Sequence, residues 1–176
     1  MAKNKWVVDP THSEIQFKVK HLMISTVTGH FRKFNLEVIT ENDDFSTMQD
    51  IIFTVDTNSV DTNNEQRDTH LKSADFFNSE AYSTMEFRGS GYTGSDKEGK
   101  LTGNLSIRGI AKPVVVGIEF GGIVVDPYGQ TKAGFTVEGK INRKEFGLTW
   151  GALTEAGNVV VGDDVKFHGE IQLIKQ

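Results

Sequence analysis

The chain has 176 residues, of which 37% are hydrophobic and 24% charged, with a formal net charge of −5. That is the length of one domain spanning 1–176 with a sizeable core, and the composition excludes wholesale disorder. Zero cysteine excludes a disulfide scaffold, a thiolate zinc site and a cysteine nucleophile. The acidic balance argues against nucleic acid as a partner, and no apolar run approaches the ~18 residues of a helical membrane span.

The start carries Lys3 and Lys5 but no apolar stretch before Asp9-Pro10. No secretory signal is therefore expected, and a cytoplasmic location with it, or a periplasmic one if a leader has been removed. Twelve Phe and 18 Gly against three Pro point to an all-β sandwich or barrel.

Period-2 alternation marks the strands in turn. Ser13–His21 sets Ile15, Phe17 and Val19 against Glu14, Gln16, Lys18 and Lys20. Gly29–Thr40 carries Phe34, Leu36 and Val38, with Phe31 out of phase, so a bulge is expected between Phe31 and Phe34. Asp50–Asp56 places Ile51, Phe53 and Val55 together. Asp61–Asn78 breaks the pattern: Thr62-Asn63-Asn64-Glu65 reads as a capping box opening a helix. That helix has almost no apolar stripe, so it is expected to lie across the barrel, pinned by Leu71, Phe76 and Phe77. Thr84–Gly91 pairs Met85 with Phe87, and Leu101–Ile107 aligns Leu101, Gly103, Leu105 and Ile107. Pro113–Phe120 is apolar on both faces at its start, which leaves its orientation open. Lys132–Ile141 aligns Phe135, Val137, Gly139 and Ile141. The last strand aligns Val165, Phe167, Gly169, Ile171 and Leu173. Turn residues separate these eight strands at antiparallel spacing.

Eight strands close into a barrel that is either just filled or holds one small ligand. Gly103, Gly139 and Gly169 fall on apolar faces. They either leave room in a tunnel or relieve curvature at barrel corners.

Catalytic and metal motifs are sparse. The histidines at 12, 21, 30, 70 and 168 form no H-E-x-x-H and no i,i+4 pair. Ser13 and His12 would face opposite sides of a strand. There is no G-x-S-x-G, and Gly89-Ser90-Gly91 lacks the strand-to-helix setting of a phosphate loop. Arg67 and His70 share a helix face and form a candidate polar rim for a ligand head group, against the plainer reading of a solvated face. Arg108 and Arg143, near strand ends, are candidate rim cations.

The assembled segments resemble the YceI family, the lipocalin-like polyisoprenoid-binding proteins. The matching residues are Trp6-x-x-Asp9-Pro10-x-His12-Ser13-x-Ile15-x-Phe17-x-Val19-x-His21 with Gly29-x-Phe31, then Arg67-Asp68-x-His70-Leu71-x-Ser73-x-x-Phe76-Phe77 with Met85-Glu86-Phe87. Leu101 to Gly109 with Lys112-Pro113-Val114 follow, then Ile141-Asn142-Arg143-x-x-Phe146-Gly147 and Val161-Gly162-Asp163-x-Val165. The resemblance implies an eight-stranded antiparallel lipocalin-like barrel with a short helix near its opening, a tunnel for a long isoprenoid chain, and a homodimer.

The expected function is therefore binding of a polyisoprenoid lipid of quinone or polyprenyl-phosphate type, for transport, storage or sequestration, without catalysis. No cofactor or metal is expected beyond the bound lipid. The alternative is an enzyme acting on such a lipid through His12, His21, Arg67 and His70 at the tunnel mouth. Alternation places Ile15, Phe17, Val19, Phe87, Leu105, Ile107, Phe135, Val137, Val165 and Phe167 on the lining. His21, Phe31, Phe53, Arg67, His70, Phe76, Phe77 and Phe146 complete the expected ligand-binding set.

Overall fold

Among the described residues, eleven strands occupy the eight positions of a closed antiparallel barrel, because three of its walls are each built from two strands laid end to end. The computed structural model describes residues 2–151 and 160–176. The strands are β1 (Lys3–Val8), β2 (Glu14–His21), β3 (Ser25–Phe31), β4 (Phe34–Glu41), β5 (Asp44–Asp56), β6 (Val60–Asp61), β7 (Thr84–Gly94), β8 (Glu98–Ile107), β9 (Ile110–Val125), β10 (Thr131–Asn142) and β11 (Val161–Lys175). One helix, α1 (Glu65–Lys72), follows β6.

The composite walls follow from the register. β11 is long enough to pair with β2 along its first part (Val165 opposite Val19) and with β1 at its end (Leu173 opposite Val8). The break between β1 and β2 is the single 3-10 turn Pro10–His12, where Pro10 brings no N–H and Asp9 accepts from the Thr11 amide at 3.1 Å. β3 and β4 match it across the seam, pairing Gln16 with His30 and Trp6 with Val38. β6 and β5 follow, pairing Phe31 with Val60 and Phe34 with Val55.

Phe31 and Phe34 are thus not separated by a bulge, as alternation predicts, but by a break at Arg32-Lys33. There the Arg32 amide donates to Ser59 O at 3.1 Å and the Asp56 amide to Lys33 O at 3.0 Å. The phase change is absorbed by a bend in the strand. β9 resolves the doubly apolar run: Val114, Val116 and Ile118 face inward, and Val115 is exposed.

The end of the barrel away from α1 is closed by aromatic packing. Trp6, fully buried, lies 4.8 Å from Phe45, which meets Phe120 at 5.4 Å and Phe135 at 4.7 Å between ring centroids. The Trp6 indole N–H donates to Thr40 Oγ1 at 2.9 Å, so its one polar atom is satisfied in the core.

α1 begins two residues later than the capping box places it. Asn64 is the cap, accepting from the Arg67 amide at 2.9 Å. Thr62 is instead spent on tying the helix down: its N–H and Oγ1 both donate to Asp68 Oδ1, at 2.9 and 2.5 Å, while Arg67 donates to Thr62 Oγ1 and O. The chain beyond α1 turns back under the helix, with the Phe77 amide donating to Leu71 O at 2.9 Å. Phe76 and Phe77 then pack into the barrel end, with Phe77 edge-on to Phe31 at 5.7 Å.

Candidate functional site

A cavity of about 440 Å³ runs from the aromatic floor to α1, lined almost wholly by apolar side chains. The volume lies within the usual range for a single small-molecule ligand. Many of the residues that face it from the strands are only half-buried: Ile15, Phe17, Val19, Phe53, Phe87, Leu105, Phe135, Val137, Val165 and Phe167 all retain accessible surface, while Ile51, Val55, Leu101, Ile107 and Val116 in the same lining are buried. In a close-packed core inward-facing residues of this kind would be fully buried. The barrel is hollow along its middle, between the packed floor and the clusters at the α1 end.

Every member of the expected ligand-binding set lines this cavity except Phe146. Phe146 is 1% exposed and packs with Ile107, Phe76 and Leu148 behind the wall, because the turn Arg143–Phe146 folds it into a satellite core. The lining also includes Phe34 and Leu36, whose alternation was legible; Val116 and Ile118, from the run whose orientation the sequence left open; Phe45, from the part of β5 ahead of the alternating run; and Leu148 and Trp150, which lie in irregular chain with no period to reveal them.

The inward glycines do not supply the space. A Cβ at Gly139 would fall on the ring of Phe167, its cross-strand partner, and one at Gly103 on the ring of Phe87. At Gly169 it would meet Ile15 Cδ1 at 3.0 Å. Each is a seat for a neighbouring side chain, which lets large residues lie flat against the wall.

Polar groups gather at the α1 end. Arg143 is 3% exposed and fans its guanidinium over main-chain oxygens: Nε donates to Gly162 O at 2.8 Å, Nη1 to Leu148 O at 2.6 Å and Trp150 O at 2.7 Å, and Nη2 to Val161 O at 3.3 Å. Its nearest carboxylate is Asp163, at 3.8 Å and half-exposed. Burial pulls the Arg143 pKa down, and the nearby Asp163 carboxylate offsets only part of that. Arg67 also faces the cavity, bonded through Nε and Nη2 to Thr62, with no carboxylate within salt-bridge distance among the described residues. His70 Nε2 lies 2.9 Å from Asp75 Oδ2, and its ring is edge-on to Phe76 at 5.1 Å and Trp150 at 4.8 Å. Arg108, outside the lining, donates to Ala74 O, Phe76 O and Gly147 O and so fastens the segment that carries Phe76.

The histidine group expected at the mouth does not assemble. His12 sits in the 3-10 turn between β1 and β2, 2.8 Å from Asp9 Oδ2, and does not line the cavity. The proline turn takes it out of the strand whose end carries His21. Among the described residues no three His, Asp or Glu side chains gather to hold a metal ion.

A family model for the YceI-like domain matches residues 6–173. A UPF0312 protein of Staphylococcus aureus strain USA300 is 38% identical over 165 residues, 93% of this chain and 94% of that one. Among solved structures, the Campylobacter jejuni YCEI protein is 31% identical with a TM-score of 0.77, covering 90% of this chain and 91% of that one. Burkholderia cenocepacia BcnA superposes with a TM-score of 0.80 at 21% identity over 94% and 98% of the two chains. A polyisoprenoid binding domain from Saccharophagus degradans superposes with a TM-score of 0.68 at 13% identity over 97% and 98%. The last two share the fold. The hollow antiparallel barrel and these matches define a lipocalin-like class of protein, and the chain belongs to the YceI family.

Proposed function

We propose that this protein binds one long-chain isoprenoid lipid, tail inward in the barrel, and carries or sequesters it without transforming it. The observation that carries the reading is the ring of half-buried Phe, Val, Ile and Leu side chains around the cavity above a sealed aromatic floor. Each buried CH₂ is worth ~0.8 kcal/mol, so each five-carbon isoprene unit contributes on the order of 3–4 kcal/mol before the costs of binding. An apolar chain therefore needs few polar contacts. The fold shared with a domain described as polyisoprenoid-binding supports the choice of a branched chain. Arg67 at the mouth, with no carboxylate within salt-bridge distance among the described residues, supports a head group that is polar or anionic. Binding is favoured over catalysis because the polar atoms of Arg143 and His70 are already committed to main-chain oxygens and to Asp75.

Native mass spectrometry of the purified protein, followed by organic extraction, tests this. The expected result is a one-to-one adduct that yields a prenylated lipid. A chain recovered without any bound lipid, and refusing added prenylated quinone and polyprenyl phosphate alike, would overturn it.

A further inference from the structure

The turn between β2 and β3 is made of Leu22, Met23 and Ile24, with the Ile24 amide donating to His21 O at 3.2 Å. Leu22 and Met23 have φ of 53° and 58°. A hairpin turn with positive φ at both central residues favours Asn and Gly, which bear that backbone with little strain. Here it holds two long apolar side chains, and Met23 and Ile24 are 58% and 84% exposed. Both the backbone and the exposure disfavour these residues in an isolated molecule.

The tip stands at the cavity mouth. The Leu22 amide donates to Val160 O at 2.8 Å, His21 pairs with Val161, and His21, Val160 and Val161 all line the cavity. On the outer wall beneath the tip, Lys18, Lys166 and Lys140 stand abreast in register on β2, β11 and β10, with Lys20 nearer the tip. Like charges directly opposite on a sheet repel. Asp164 meets Lys140 at 3.7 Å and Asp163 meets Lys144 at 3.3 Å. Lys18, Lys20 and Lys166 have no ion-pair partner among the described residues. The next row away from the tip is Glu138, His168 and Gln16, so the basic band is confined to the mouth end of a chain whose net charge is −5.

We propose that the Leu22–Ile24 tip and this lysine band dock the protein on an anionic lipid bilayer, with the cavity mouth against the membrane. Three apolar residues bury far less than the ~800 Å² that each partner gives to a stable protein interface. A small apolar wedge ringed by cations is what an anionic membrane surface holds. That docking serves loading of the cavity rests on the lipid-binding reading above. Docking itself does not.

The test is flotation of the full chain with vesicles of phosphatidylcholine alone and of phosphatidylcholine with phosphatidylglycerol. Binding is expected only to the anionic vesicles, and it falls as salt shortens the screening length. Removing Lys18 or Lys166 should weaken it about fivefold each. A variant with Leu22→Asn, Met23→Gly and Ile24→Ser relieves the turn, so it folds at least as well, and should lose binding. Equal binding to both vesicles, no binding, or full binding by that variant would overturn the proposal. So would a dimer in sedimentation equilibrium that the same substitutions split, since the tip would then seat a second copy. Extraction of the variants separates the two readings: bound lipid without docking removes only docking, and docking with a cavity that takes no lipid removes only the cargo.

Discussion

At Gly139 the backbone lies directly under the Phe167 ring, and that contact decides where the barrel tolerates added volume. Gly139→Ala is expected to lower stability by about 1–3 kcal/mol, since Phe167 must leave its position. Val137→Phe, two residues along the same strand, extends into the cavity instead. It should leave the melting temperature of the lipid-free protein nearly unchanged while reducing the lipid recovered on extraction. A large drop in that melting temperature would mean the space beside Val137 is already filled. Leu22→Asn with Met23→Gly should raise stability by about 1–2 kcal/mol by removing left-handed strain, read as a higher urea midpoint. His168 lies between Glu170, at 2.7 Å, and Glu138, at 3.1 Å; the bond to Glu170 chiefly raises its pKa above the ordinary 6.5, against partial burial. Its contribution to stability is complete below about pH 6.5 and fades as pH rises through the folded value. His168→Gln should therefore destabilise the protein more at about pH 5 than at about pH 9. Alternation identified which side chains point inward, because the pleat has a fixed period. It did not reveal that Phe167 and Phe87 cover the glycines, because that depends on the register between strands, which sets Phe167 directly opposite Gly139 and Phe87 diagonal to Gly103.

The joint between β1 and β2 is the element on which the composite wall depends. Asp9, 6% exposed, caps the turn and meets Lys132 Nζ at 2.8 Å across from the start of β10, while Lys132 also reaches Asp126 at 3.5 Å. Burial by itself would raise the Asp9 pKa, but Lys132, Thr11 and His12 outweigh it and hold the carboxyl well below its ordinary 3.8. A depressed folded pKa means this contribution is present above about pH 4 and is lost as pH falls towards the folded value. Lys132→Met leaves Asp9 buried without its cation and should cost about 3 kcal/mol at neutral pH. The difference from wild type should shrink on acidification, and an equal loss at all pH values would show that Lys132 acts by packing alone. The eight wall positions were legible because all but β9 contain a run of alternation, and β9 is marked as a strand by its run of Val even though both of its faces are apolar at the start. β1 was not, since Lys3–Val8 offers only Trp6 and Val8 on its buried face before the chain turns at Pro10. The start of α1 was misplaced for a related reason: Thr62 has the chemistry of a cap, and its bond to Asp68 is a choice made by the tertiary fold.

On the scale of the whole molecule, stability is concentrated at the two ends and the middle is left open. Trp6→Ala, which removes the largest side chain of the floor, should cost about 3–5 kcal/mol in chemical denaturation and let the cavity reach further down. If the change proved mild, the floor would not be what holds the barrel closed. The α1 end was the least legible part of the site: Trp150, Leu148 and the buried fan of Arg143 bonds arise where distant segments meet, and no local pattern announces them. The floor has one further consequence. With Phe45, Phe120 and Phe135 packed across its bottom, the barrel is a blind tube whose depth is set by the protein. On the lipid-binding reading proposed above, a tail that enters it must stop at those rings, so a longer homologue stands proud by every carbon that does not fit, with its head lifted away from Arg67. On that reading the same wall works as a ruler, grading ligands by length before any head group is touched.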